Sequence, residues 1–366
     1  MKRKFAMRGN SFIDNSFERI FYLLIFLVTV FVTSAYALTP EEILLLKRAG
    51  VPDEKILEMQ KKGGTAPQAA VPKINPFDWN EDGKKDIITG SDSGQVYVYL
   101  NTGTNAQPIF DKPVKIPGAE VMRLSDPYIA DWNSDGKKDI IVGQASGEVS
   151  VFLNMGTNQS PLFAGEMKLN DGSLDVGQYS SVSVVDWNGD GKKDLLIGNS
   201  RGNIYIFFNI GTDTSPRFLD DGMKTSISVP GYATPFVADW NGDGKFDVVC
   251  GSSDGRVYIF INEGDSRNPR FGEPQTLHIN DVEFKLPGRT SVTALDWDDD
   301  GKTDLLVSNI RVKEDTKGKG RKHSIGGRAE KVSFRIYLLL NTGTKEKPEF
   351  KELKQIKGKF KDDAVL

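Results

Sequence analysis

A nine-residue pattern, Asp-Trp-Asn/Asp-x-Asp-Gly-Lys-x-Asp, occurs five times in this chain, starting at Asp78, Asp131, Asp186, Asp239 and Asp296. The successive intervals are 53, 55, 53 and 57 residues. Spacing this even restricts the fold to a repeat architecture in which every unit carries one oxygen-rich loop.

Carboxylate or amide oxygens stand at positions 1, 3, 5 and 9 of each loop, and a glycine at position 6 permits a sharp turn. Such a loop can wrap one hard cation, and calcium fits best because it accepts ~6–8 oxygen ligands in flexible geometry. The expected ligands of the first loop are Asp78, Asn80, Asp82 and Asp86, with the main-chain carbonyl of Lys84 at position 7. The second offers Asp131, Asn133, Asp135, Lys137 and Asp139, and the third Asp186, Asn188, Asp190, Lys192 and Asp194. The fourth offers Asp239, Asn241, Asp243, Lys245 and Asp247. In the fifth, Asp296, Asp298, Asp300, Lys302 and Asp304, an Asp replaces the Asn, so the tightest binding is expected there. About five calcium ions, one per repeat, are therefore expected. A single copy of the pattern would be no more than an exposed turn. An EF-hand is excluded because position 12 is Thr89, Val142, Ile197, Cys250 and Val307 where that motif needs Glu.

Each loop lies between two apolar, β-rich runs, as in Val182–Asp186 and Asp194–Gly198. A third run such as Asn203–Phe208 follows, then an Asn-x-Gly turn at Asn101, Asn154, Asn209, Asn262 or Asn341. A fourth strand is expected to open at Pro-x-Phe, that is at Phe110, Phe163, Phe218, Phe271 and Phe350. Four antiparallel strands per unit predict an all-β fold, a five-bladed β-propeller over 71–357. All five tryptophans are the Trp of the loop, which predicts repeated packing between blades. Cys250, the sole cysteine, reads as a small core residue.

Before the repeats, Lys2, Arg3, Lys4 and Arg8 precede an apolar run from Ile20 to Val32 and then Ser34-Ala35-Tyr36-Ala37. This order predicts a signal peptide over 1–37, cleaved after Ala37, with an uncleaved membrane anchor as the alternative. Thr39-Pro40-Glu41-Glu42 opens a short helical hairpin over 38–62, followed by a Gly/Pro/Ala linker at 63–70; 358–366 is read as a tail. Export places the chain outside the cell, in the periplasm or on the cell surface, and a membrane contact is expected only if the leader is retained. Without 1–37 the chain carries 42 basic and 48 acidic residues, since the leader accounts for five of 47 and two of 50. That acidity is largely that of the loops, and no nucleic-acid partner is expected.

The pattern resembles the FG-GAP or VCBS repeats of integrin α-subunit propellers and of many secreted bacterial proteins. The resemblance spans Val71 to about Lys357 and implies a calcium-bearing propeller. Two features depart from it: integrin-like propellers have seven blades, and Gly-Ala-Pro follows their second strand. Here there are five units, and the corresponding residues begin Gly90-Ser91-Asp92 in the first. Blade number and partner are therefore not carried over.

The opposite end of the blades varies in sequence and length, and binding sites usually sit on such loops. Arg311 to Lys331 replaces a short turn in the fifth unit and is rich in Lys and Arg, with Lys319, Arg321 and Lys322 at its centre. It reads either as a basic finger for an acidic partner or as a solvated loop. Tyr179, Tyr232 and Arg289 stand seven residues before their loops, where they can stack on or hydrogen-bond a sugar, or simply pack at the rim. The expected function is a non-catalytic binding or adhesion module for protein or glycan. The alternative is a propeller hydrolase or lyase acting on polysaccharide, which needs two or three carboxylates converging in the central funnel. No nucleophile elbow, phosphate loop or His-rich motif is present, and no catalytic residue is assigned.

Overall fold

The computed structural model describes residues 78–358, apart from 92, 123–124, 164, 220–221 and 314–330. The expected leader, helical hairpin and linker, the lead-in at 71–77 and the end of the tail at 359–366 lie outside the described residues, as do Lys319, Arg321 and Lys322.

Five antiparallel sheets follow one another along the chain. Blade 2 runs Ser125–Ala130, Asp139–Gln144, Val149–Phe152, Met167–Lys168. Blade 3 runs Ser181–Val185, Asp194–Gly198, Asn203–Phe207, Met223–Ser228. Blade 4 runs Thr234–Ala238, Asp247–Gly251, Val257–Phe260, Gln275–Thr276. Blade 5 runs Arg289–Leu295, Asp304–Lys313, Lys331–Leu339, Lys354–Gln355. Blade 1 shows Ile87–Thr89, Gln95–Tyr99 and Val114–Glu120, its expected first strand falling in the undescribed lead-in. The chain is a five-bladed β-propeller.

The ring is held by five apolar clusters, one at each blade interface. Second strands are buried on both faces, so alternate residues serve opposite neighbours: Leu195 and Ile197 pack toward blade 2, and Leu196 packs toward blade 4. Cys250 is buried between blades 3 and 4, in keeping with its reading as a core residue. The fifth cluster joins Leu295, Trp297 and Ile336 of blade 5 to Ile87 and Tyr99 of blade 1, which closes the circle. The C-terminal residues complete the closure, because Lys357–Gly358 pairs in parallel with Ile109–Phe110 of blade 1. Among the described residues, closure brings together the two end blades whose faces a linear stack would expose.

Each tryptophan enters the interface with the next blade and meets that blade's Pro-x-Phe ring. Trp79 stacks on Phe163 at 6.3 Å, Trp187 meets Phe271 at 6.2 Å, and Trp240 stacks on Phe350 at 6.0 Å. Trp132 with Phe218, and Trp297 with Phe110, share clusters in the same way. This geometry corrects one expectation, since Pro-x-Phe does not open the fourth strand. The phenylalanine instead closes the Asn-x-Gly turn, bridging Asn101 to Phe110, Asn154 to Phe163, Asn262 to Phe271 and Asn341 to Phe350. The fourth strands start several residues later. The proline lacks the N–H a ladder requires, whereas a turn tolerates it.

The basic insertion is also partly regular. Its blade-5 strands continue outward in register to Lys313↔Lys331, because Val312 and Val332 extend the apolar alternation. The segment from Arg311 to Lys331, read as a basic finger or a solvated loop, thus begins and ends in paired strand, and 314–330 lie outside the described residues.

Candidate functional site

The acidic loops gather at one end of the blades, and each is built by its own side chains. In the first, Asp78 accepts hydrogen bonds from the N–H of Asp82 at 3.1 Å and of Gly83 at 2.7 Å, while Asn80 accepts from Asp82 at 3.2 Å. Asp82 in turn accepts from the N–H of Lys84 at 3.0 Å. The pattern repeats at Asp131, Asn133 and Asp135 and at Asp186, Asn188 and Asp190. Two positive backbone angles make the turn: position 6 is always Gly, as in Gly83 at φ +81°, and position 4 is Glu81 at +60°, Ser134, Gly189, Gly242 or Asp299.

The Asp at position 9 is buried in every loop. One oxygen of Asp194 accepts the N–H of Trp187 at 3.0 Å, and the other accepts that of Asn209 at 2.8 Å. Asp86, Asp139, Asp247 and Asp304 do the same, so this carboxylate clamps the first, second and third strands. Burial raises all five above the usual carboxylate range, with Asp194 pushed to about 8 and Asp247 and Asp304 to about 6, against the pull of the two N–H groups. At position 5, burial also pushes Asp82, Asp135 and Asp300 upward, but hydrogen bonds and the adjacent lysine hold them below the ordinary value.

The position-7 lysines contribute more than a carbonyl. Lys84, Lys137, Lys192, Lys245 and Lys302 place their ammonium groups 2.7–3.6 Å from the position-5 carboxylates. Two observations bear on whether a cation fits. In the fifth loop, carboxylate oxygens of Asp296, Asp298 and Asp304 lie within 4.8 Å of one another. In the fourth, Oδ1 of the buried Asp239 has no hydrogen-bond partner, although Oδ2 accepts from Gly244 at 3.2 Å. A converging carboxylate trio and an orphaned carboxylate oxygen suit a hard divalent ion. The first three loops differ, because the Asn amide donates to the Asp two residues on, as in Asn80 to Asp82 at 3.3 Å.

A further position escaped the sequence reading. The residue at position 8 reaches back to the loop of the preceding blade. Lys85 Nζ donates to the carbonyls of Asp296, at 2.8 Å, and Trp297, and pairs with Asp299 at 3.0 Å. Lys138 donates to the carbonyl of Asp78, and Lys193 reaches Ser134 at 2.8 Å. Phe246 instead packs on Trp187 at 5.8 Å. The sequence signal was the change from Lys to Phe to Thr at a position otherwise flanked by constants.

A central channel of about 770 Å³ is lined by the first strands of blades 2 to 5 and, from blade 1, by Asp78 and residues 86–90. At the end remote from the acidic loops the structure brings together Tyr179, Tyr232 and Arg289. The two rings meet edge to face at 5.0 Å, and the Arg289 guanidinium lies 4.4 Å from the centroid of Tyr232. Tyr179 holds a left-handed backbone at φ +61°. The residues seven places before the first two loops, Val71 and Leu124, lie outside the described residues. Asp126, which the sequence reading did not single out, also faces the channel; burial raises its carboxyl, opposed by a hydrogen bond from Ser181 and the charge of Arg289. Of the other channel-lining carboxylates, Asp78, Asp86 and Asp131 belong to the acidic loops at the far end.

The FG-GAP-like repeat family matches residues 78–142, 131–197, 186–250 and 239–307. Each match runs from one acidic loop through the second strand of the next blade, and together they cover well over half of the chain. The protein belongs to the FG-GAP-like repeat family. Among individual relatives, it is 29% identical to integrin alpha-6 of Gallus gallus over 147 residues, covering 37% of this chain and 14% of that one. It is 28% identical to cartilage acidic protein 1 of Homo sapiens over 195 residues, covering 49% of this chain and 28% of that one. The match thus spans less than a third of the length of either relative. An α-L-arabinofuranosidase from Clostridium thermocellum aligns with a TM-score of 0.38 and 13% identity, over 75% of this chain and 95% of that one.

Proposed function

We propose that this chain is an exported, calcium-stabilised propeller that acts as a non-catalytic binding module for protein or glycan. The acidic loops brace the frame, and the opposite end of the blades receives the partner. The observation that carries the reading is the division of carboxylates. Those of the loops are committed to the frame, and among the described channel-lining carboxylates Asp126 alone stands at the other end. Hydrolysis of a glycosidic bond uses two carboxylates ~5–9.5 Å apart, so a hydrolase is the less supported reading, and cleavage of a polysaccharide by either a hydrolase or a lyase would count against the binding role. Similarity to an integrin alpha subunit and to a cartilage protein is in keeping with a binding role outside the cell. The proposed organisation has the leader removed after Ala37.

A screen of the full chain against glycans and surface proteins tests this, using Tyr232→Ala and Arg201→Glu, the latter in the turn between the second and third strands of blade 3, at the receiving end, and Lys345→Ala, which follows the Asn341 turn and lies 3.6 Å from Asp239, at the loop end. Binding reduced by the first two and untouched by the third is expected. Binding sensitive only to the loop end, or hydrolysis of a polysaccharide, would sink the reading.

A further inference from the structure

The mouth of the channel contains a guanidinium with no hydrogen-bonded acceptor among the described residues. Among the described residues, the Arg289 guanidinium donates no hydrogen bond; it has only the Tyr232 face beside it and the field of Asp126 within the channel. The side chain is half-buried and lines the cavity, so its five N–H donors are partly removed from water without replacement. A planar guanidinium in that state suits a two-point contact with a carboxylate.

The surroundings narrow the kind of carboxylate. Two tyrosine rings from successive blades offer faces and edges at the rim, and the cavity continues past the hydroxyls of Ser181, Ser291 and Thr293. Deeper in, the wall is largely aliphatic, with Ile129, Val182 and Val292 among its residues; at the mouth, two aromatic rings above hydroxyls suit a sugar ring, which can stack on tyrosine and hydrogen-bond below it, whereas an acidic peptide brings no flat ring to the tyrosines. The volume of about 770 Å³ lies in the range of small-ligand sites, ~300–1,000 Å³.

We propose that this mouth binds an acidic sugar, a hexuronate residue of a glycan, with its carboxylate on Arg289, its ring against Tyr232 and Tyr179, and its hydroxyls on Asp126 and the channel hydroxyls. The proposal rests on the reading of this end as the receiving face and names the ligand class for it. Arg289 selects for the acid, and the tyrosines and hydroxyls bind any sugar of suitable shape.

Isothermal titration of the full chain with three probes tests it: a trimer of 1,4-linked hexuronates, a neutral trimer of 1,4-linked hexoses, and a glutamate hexapeptide. The hexuronate trimer should bind roughly tenfold or more tighter than the neutral one, the worth of a charge-assisted pair. Arg289→Gln should abolish that preference with an unchanged melting temperature, and Arg289→Lys, which keeps the charge without the planar fork, should retain part of it. Equal affinity for the two trimers, an undiminished preference in Arg289→Gln, tighter binding of the peptide, or no binding of either sugar would overturn the proposal. Should Arg289→Gln fail to fold, the Arg289→Lys result decides. If partners found in the broader screen depend on Tyr232 and Arg201 but are indifferent to Arg289, the receiving face stands and only the acidic-sugar assignment falls.

Discussion

The two ends of the propeller use repetition in opposite ways. At the loop end, five copies of one pattern place the same clamp, the same tryptophan and the same lysine in each blade, and each copy engages its neighbour. At the other end, equivalent first-strand positions carry Tyr179, Tyr232 and Arg289, and the turns differ in length up to the long hairpin of blade 5. Uniformity serves a ring whose members must fit one another. A ligand that is not five-fold symmetric is better met by positions that have diverged. Substitutions at the loop end should therefore change stability, and those at the other end should change binding.

The largest effect should come from removing metal. A site that binds only the folded chain contributes RT ln(1 + [Ca]/Kd), about 1.4 kcal/mol at tenfold excess over Kd, or about 7 kcal/mol for five such sites. Differential scanning calorimetry in chelator and then in millimolar calcium should show a large rise in melting temperature; coincident curves would remove calcium from the frame. Within that response, Asp298→Asn should give the fifth loop the Asn of the other four, lowering calcium affinity at one site, as followed by titration. No change in any of the binding steps would contradict the special status of the Asp296, Asp298 and Asp304 trio.

Next comes the packing between blades. Trp187 is almost wholly buried against Phe246 and Phe271 of blade 4, and its truncation to Ala should cost about 3–5 kcal/mol. Denaturant titration measures this, and any ligand affinity should persist in the fraction that remains folded. A cost below about 1 kcal/mol would mean that the ring is not held at these interfaces.

Much of this frame was legible before the structure. The five copies of the nine-residue pattern set the blade number, since each copy must supply one turn between two buried strands, and the placement of every Trp in that turn marks the interfaces. The Pro-x-Phe ring was assigned to the wrong element because a proline followed by an aromatic suits both a strand start and the end of a turn; only the partner tryptophan from another blade distinguishes them. Position 8 was invisible for a similar reason. Lys85, Lys138 and Lys193 act on loops more than fifty residues away in space-adjacent blades, and single-repeat chemistry contains no sign of that. Asp126 lacks a repeating counterpart altogether, so a reading built on repetition passed over it.

Asp126 gives a smaller, pH-dependent effect at the receiving end. Its folded carboxyl titrates above the ordinary value of 3.8, so the fold favours the protonated form. The resulting stabilisation is complete below the unfolded value and is lost as pH rises through the folded one. Asp126→Asn stays neutral throughout, and its melting temperature relative to the parent should climb as pH rises from 3.8 toward neutrality. A difference that is flat with pH would show that Asp126 is not desolvated in the channel wall.

The smallest stability effect, and the sharpest contrast with Trp187, belongs to Tyr179. Its left-handed backbone at φ +61° is strained for a side-chain-bearing residue by roughly 1–2 kcal/mol, which glycine would relieve. Against that relief stands the edge-to-face contact with Tyr232 at 5.0 Å, worth about 0.5–1.5 kcal/mol. The two nearly cancel, so Tyr179→Gly should leave the melting temperature almost unmoved while weakening sugar binding at the channel mouth. A residue retained for packing would show the reverse, a clear loss of stability with affinity intact. Measuring melting temperature and trimer affinity on this one variant therefore separates a rim that is part of the frame from a rim that is part of the site.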